Sequence, residues 1–414
     1  FGHMERWLKH DRYAPLAEAD GPYLMPWGSQ ATHATTLCPL DPGSPALLDD
    51  LYNKLLPNFT SRMFNVGCDE TWELGQGRSK QACRQAGLGR VYLDFLIKIH
   101  ELVEKHDGTM QFWCDIIDKH PDLIDELPRD VIALEWGYEA DHPFAERTQR
   151  LAASGLRFYV CPGTSSWGSI AGRTDNAMGN LLAAAEHGRN NGAEGYLITD
   201  WGDNGHWQPL PVSYLGFAYG AAVSWATDAN RNIDMADRLD RYAFGDRAGI
   251  LGALARDLGN LYRESGRLMG NQSILSYLLV NPQATLVPSD KETRRRQGTP
   301  TAEHMSNVQD ALTHMLGRLP NANSRRHDAE LLRDEFDFVA RLLQHAAALG
   351  RARLQQGREI PIHKIPGQTR QRLAEELDAC MAAHRKVWLA RNRPGGLPDS
   401  LARMQRLRPF YDHA

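Results

Sequence analysis

Arg62-Met63-Phe64-Asn65-Val66-Gly67-Cys68-Asp69-Glu70 is a short apolar run that ends in two adjacent carboxylates. Its composition predicts a buried parallel strand, and the acids fall where such a strand emerges at its C-terminal end. In an α/β barrel that end is the catalytic face. Neighbouring acids repel each other and lose solvation on burial, so folding alone gives no reason for the pair. Chemistry is one reason for it. The other is that Asp69 caps a following helix and Glu70 occupies its first turn.

Around this run the chain alternates between short apolar segments and amphipathic ones. Strand-like runs at 109–114, 131–135, 156–161 and 195–199 interleave with helical patterns at 91–105, 143–154, 176–188 and 212–225. A helical patch at 46–56 precedes the Arg62 strand. Such alternation implies a parallel sheet covered by helices. Each of the five runs is followed by polar or aromatic residues: Asp69-Glu70, Asp115, Trp136, the loop Pro162-Gly163-Thr164-Ser165-Ser166-Trp167, and Asp200-Trp201-Gly202-Asp203. One face would then collect acids, tryptophans and small hydroxyls, the layout of a (β/α)8 TIM-barrel site. No GxGxxG or Walker pattern follows any of these strands, which argues against a doubly wound nucleotide fold. A closed barrel needs eight strands, so the N-terminal strands are expected to be missing from this chain. Past about Asp228 the pattern turns almost wholly helical. The expected division is a partial catalytic barrel over 1–228 and an α-helical domain over 229–414.

The bulk numbers exclude several classes. With 47 basic and 51 acidic side chains the formal net charge is -4, so no broad cationic surface for nucleic acid or anionic lipid is expected. The triplet Arg294-Arg295-Arg296 lacks interleaved aromatics and reads as a solvated turn. No apolar run is long enough to span a bilayer. The six cysteines show neither CxxC nor zinc-ligand spacing, which points to a reducing, cytoplasmic setting with no structural metal. Homo-oligomerisation is left open. The basic pair Arg391 and Arg393, after Trp388, is expected to be exposed on a helix ended by Gly and Pro.

The constellation suits a sugar. Trp113, Trp136, Trp167, Trp201 and Trp207 fall at or beyond strand ends, where aromatic faces match the apolar faces of a pyranose while Asp203 and other polar groups hold its hydroxyls. One carboxyl must protonate a glycosidic oxygen, which requires a raised pKa, and a second must stabilise charge. Adjacent residues can hardly serve as acid and opposed nucleophile. They suit a substrate-assisted scheme, with the sugar's 2-acetamido carbonyl as nucleophile, Asp69 holding the amide N–H, and Glu70 acting as acid and then base.

Val66-Gly67-Cys68-Asp69-Glu70 resembles the Gly-x-Asp-Glu signature of the family 20 glycoside hydrolases, the β-N-acetylhexosaminidases. Phe112-Trp113-Cys114-Asp115 and Glu135-Trp136 resemble that family's next strand-end tryptophans, Trp201-Gly202-Asp203 its final Trp-x-acid, and Gly2-His3 the Gly-His whose histidine supports the acid. The resemblance runs from Phe1 to about Trp225. It implies a retaining exo-enzyme that removes terminal β-linked GlcNAc or GalNAc and needs no metal or organic cofactor, with Glu70 and Asp69 catalytic. His3, Trp113, Trp136, Tyr138, Trp167, Trp201 and Asp203 would contact substrate. The family's Tyr-x-Asp is absent, so Tyr138, Trp167 and Ser165 are all candidates to bind the acetamido oxygen. Two alternatives stand beside this reading: a barrel glycosidase whose nucleophile is Asp203 or Glu135, and a non-catalytic sugar-binding protein on a degenerate barrel.

Overall fold

In the computed structural model, which describes residues 1–355 and 357–412, the five strand-like runs form one all-parallel sheet in chain order. Its strands are β1 (Met63–Asn65), β2 (Thr109–Trp113), β3 (Ile132–Trp136), β4 (Arg157–Cys161) and β5 (Gly195–Tyr196), each paired only with its neighbours in the sequence. Among the described residues no further strand joins them, and the barrel is not closed.

The middle of the sheet is the core. Ile132, Ala133 and Leu134 of β3 are fully buried, as a strand covered on both faces should be. β1 departs from expectation. It is parallel but forms an edge, paired only with β2, and Met63 is 45% exposed. β5 is shorter than its apolar run, although the Leu197 N–H still donates to the Val160 carbonyl, so the ladder frays instead of stopping.

Helix Leu88–Glu104 shows how the sequence sets the packing. Tyr92, Phe95, Leu96, Ile99, Leu102 and Val103 recur at three- and four-residue intervals and are all buried. Helix Phe144–Ser154 stops at Gly155, whose φ of 73° is the left-handed geometry of a helix C-terminus.

The chain divides into two compact units. One comprises Phe1–Gly137, Pro143–Cys161 and Glu186–Leu197 and contains all five strands; the other comprises Tyr138–His142, Pro162–Ala185 and Ile198–Ala414. In the second, helix Ala329–Arg353 packs against both Ala302–Arg318 and Gly367–Arg391, burying Leu332, Phe336, Val339, Leu343 and Ala346 along one stripe. Arg294-Arg295-Arg296 lies in a helix, Lys291–Gln297, and not in a turn. The overlooked signal is Asp290, whose carboxylate accepts from the Thr293 N–H as an N-cap.

All six cysteines are free. Cys38, Cys68, Cys83, Cys114 and Cys161 belong to the first unit and Cys380 to the second; all but Cys83 are buried. No helix among the described residues is long and apolar enough to cross a membrane.

Candidate active site

The acid pair is held by an unusual backbone. Gly67, Cys68 and Glu70 have φ of 73°, 74° and 50°, so two non-glycine residues of this turn occupy the left-handed region. Such positions cost on the order of 1–3 kcal/mol each and persist only where their surroundings over-determine them. Here the surroundings are visible. Asn65 Oδ1 accepts from the Gly67 N–H at 2.8 Å, and Tyr92 donates to the Cys68 carbonyl at 2.9 Å. The Trp72 N–H donates to the Glu70 carbonyl at 2.8 Å. No helix begins until Lys80, so the helix-cap explanation of Asp69 falls away.

Gly2 is required by space. A Cβ built on it would lie 2.3 Å from the Asp69 carbonyl oxygen, so only glycine lets this segment lie against the acid turn. That approach brings His3 in. Its Nε2 lies 3.2 Å from Asp69 Oδ2 and 3.4 Å from Glu70 Oε2, and all three atoms are within 4.8 Å of one another. Hydrogen bonds to Asp69 and then Glu70 raise the His3 pKa to about 10, against the opposing pull of burial. At neutral pH His3 is therefore an imidazolium bridging two carboxylates, itself held at a φ of 55°. The same three atoms have the spacing of a cation site. A metal there would have to displace the His3 proton, since imidazole ligates only when neutral.

Three residues absent from the sequence-derived set join this cluster. The Trp72 ring stands edge-on to His3 at 6.2 Å, and Trp27, 66% exposed, stands edge-on to Trp72 at 5.2 Å. Trp72 follows the acid pair by two positions, a signal that attention to strand ends alone passes over. The third is Asp115, just after β2. Its Oδ2 accepts a long 3.5 Å bond from the Glu70 N–H, while its buried Oδ1 has no partner. Burial raises the Asp115 pKa to about 7, with Lys119 opposing and the charge of Asp69 adding.

Trp113 and Trp136 end β2 and β3. Trp113 is buried against Ile132, Leu134 and Cys161, and the partly buried Trp136 packs on the same cluster. Glu135, an alternative nucleophile on sequence grounds, is 1% exposed. It accepts from Arg147 at 3.4 Å and from the Cys114 thiol at 3.2 Å, the environment of a structural carboxylate.

The other sequence-derived residues belong to the second unit. Trp201 donates its indole N–H to the Tyr138 hydroxyl at 3.0 Å and is 38% exposed. Trp167 stands edge-on to Tyr138 at 4.9 Å but is 1% exposed, and its N–H donates to Asn271 Oδ1. It backs Tyr138 and offers no open face, a correction to its reading as a sugar wall. Trp207 is likewise buried. Asp203 is exposed on the short turn Asp203–Gly205.

The hydroxyls of the loop beyond β4 also turn inward. Thr164 and Ser166 both donate to Asp200 Oδ1, at 2.6 and 2.5 Å, and Ser213 bonds Ser166 at 2.9 Å. Ser165, 1% exposed with a φ of 55°, is held by Asn176 at 2.9 Å. It is not available to an acetamido oxygen.

Residues 2–171 match the family model of the glycosyl hydrolase family 20 catalytic domain, which bears out the resemblance over that stretch. The matched segment contains His3, Asp69, Glu70, Trp113, Trp136, Tyr138 and Trp167; Trp201 and Asp203 lie beyond it. No curated protein matches the chain. Among solved structures, a GH138 enzyme targeting pectin rhamnogalacturonan II aligns at 11% identity with a TM-score of 0.43, covering 84% of this chain and 47% of that one. The chain thus spans about half the length of that enzyme.

Proposed function

We propose that this chain, whose residues 2–171 match the glycosyl hydrolase family 20 catalytic domain, is a retaining exo-β-N-acetylhexosaminidase that uses the substrate's own 2-acetamido group as nucleophile. The observation that carries this reading is the common attachment of both acids to His3. Inverting pairs stand roughly 6.5–9.5 Å apart and retaining pairs about 5–5.5 Å apart, each pair flanking the scissile bond. Asp69 and Glu70 instead are adjacent in sequence and turn one oxygen each to a single imidazolium, at 3.2 and 3.4 Å.

The division of labour follows from chemistry. Glu70 acts in its protonated form: it gives its proton to the leaving oxygen, and the carboxylate left behind, paired with His3, then deprotonates water. Asp69 accepts the acetamido N–H, orienting the carbonyl oxygen towards the anomeric carbon and stabilising the charge that develops as the ring closes. The imidazolium of His3 keeps both carboxylates from repelling each other apart. Trp113 and Trp136 are assigned to sugar contact on the first unit. Tyr138, Trp201 and Asp203 are assigned to sugar contact on the second, to be read out separately as changes in KM.

The test compares substrates. Loss of the acetamido group removes an intramolecular nucleophile whose advantage is proximity. An aryl β-N-acetylglucosaminide should be turned over while the matching β-glucoside is nearly inert at saturation, and a thiazoline mimic of the cyclised intermediate should inhibit strongly. Covalent labelling of Asp203 by a 2-fluoro sugar, detected by mass spectrometry, would overturn the scheme.

A further inference from the structure

The second unit holds a cavity of about 390 Å3 to which none of the residues assigned to glycoside cleavage contributes. Its walls join the segment Asp200–Ser213 to the far end of helix Gly367–Arg391 and to Glu335. A volume of this order suits one or two sugar rings.

Three of the four aromatic rings that line it meet. Trp388 stands edge-on to His206 at 6.0 Å and to His384 at 5.6 Å. His384 is 2% exposed; its Nε2 is paired with the Ser400 hydroxyl at 2.9 Å, and its Nδ1 is buried without a partner. His206 Nδ1 is also buried without a partner. Unsatisfied buried nitrogens are uncommon and call for an explanation. Burial lowers the pKa of both rings, that of His384 to about 4, so at neutral pH each is uncharged. A neutral ring has one donor and one acceptor nitrogen; in His384 the Nε2 is spent on Ser400, whose own proton goes to the Gly205 carbonyl, which leaves Nδ1 as an acceptor for a hydroxyl.

The other polar groups disfavour anionic ligands. Arg391, read from sequence as exposed, is bound by Glu335 and Asp328, so it is not free to receive an anion. Asp200 takes both loop hydroxyls on Oδ1, which leaves Oδ2 for a further donor, and Gln208 donates to the Trp201 carbonyl while keeping its side-chain oxygen. The lining therefore offers aromatic surface, neutral imidazoles and hydrogen-bond acceptors.

We infer that this cavity is a second carbohydrate-binding site, which holds a neutral sugar unit against Trp388 with its hydroxyls on the buried imidazole of His384 and on Asp200. It does not depend on the acid pair. The probe is the β-linked disaccharide of N-acetylglucosamine, titrated calorimetrically into the whole chain carrying Glu70→Gln to prevent turnover. Two sites per chain are expected, falling to one in Trp388→Ala. If the proposed catalytic reading fails, the count should instead fall from one to none. Leu210→Arg keeps the inference testable should the tryptophan variant misfold. Leu210 is 45% exposed on the cavity wall, so a long cation there narrows the cavity and leaves Trp388 and His384 unaltered in sequence. It should weaken the second site at least ~10-fold, about 1.4 kcal/mol. Unchanged stoichiometry and affinity in both variants would overturn the inference, as would uptake of inorganic phosphate at this site in place of the disaccharide.

Discussion

The turn Gly67–Glu70 and the loop Pro162–Trp167 both follow strands, and both force non-glycine residues into left-handed backbone: Cys68 and Glu70 in one, Ser165 in the other. They differ in what happens to their polar groups. In the loop, Thr164, Ser165 and Ser166 all spend their hydroxyls on protein partners. In the turn, two carboxylates stay partly exposed around one half-exposed imidazolium, and Asp115 lies close by with an orphaned oxygen. Strain with every group satisfied is architecture. Strain that holds charged groups open to solvent is a poised site, and backbone geometry alone does not tell the two apart.

The sharpest way to test that contrast is at Glu70. Glu70→Gln should slow hydrolysis of substrates with poor leaving groups by about 10²–10⁴, and of activated aryl glycosides much less, as expected for a general acid. Equal losses across a leaving-group series would remove Glu70 from that role.

Gly2→Ala probes the backbone and not the chemistry. Its methyl would displace the Asp69 carbonyl, and a misplacement near 1 Å costs about 10²-fold in turnover. A variant with full activity would show that the close approach is dispensable.

The loop should behave oppositely. Ser166→Ala removes a donor to Asp200 and a partner of Ser213, so it should lower stability by roughly 1–3 kcal/mol in urea unfolding while turnover per folded molecule is unchanged. A large fall in kcat would make the loop catalytic after all.

The smallest effect expected is the pH dependence carried by His3. Its folded pKa, about 10, lies above the usual value of 6.5. Its protonation therefore contributes fully below pH 6.5 and is lost as pH rises through 10. His3→Gln should lower Tm at pH 6 by ~2–4 °C and converge on the parent near pH 10.5. A gap that does not change with pH would deny the imidazolium bridge.

The contrast also marks what could be read from sequence. Apolar run lengths located all five strands, because a covered parallel strand needs such a run; β3 is buried throughout as expected. They did not reveal that β1 is an edge, since neighbours are a property of the sheet. The approach of His3 to the acids was legible only through the ordered motifs, as some 66 residues separate His3 from Asp69. Which way a side chain points was not legible. Tryptophans and hydroxyls after strands looked alike, yet Trp201 is part-exposed, Trp167 is sealed, and Thr164 to Ser166 face inward. Arg391 was misread for a related reason: its partners Glu335 and Asp328 lie on a different helix or just before it, 56 and 63 residues away.

The free cysteines provide an internal clock. Five lie in the first unit and one, Cys380, in the second. Burial raises the thiol pKa of each one, Cys380 to about 12, and alkylating reagents attack only the thiolate. In the native state Cys83, the least buried, should react first. Under graded denaturant, the order in which Cys380 and the strand-end thiols of Cys114 and Cys161 acquire mass would report which unit opens first, with no engineered probe.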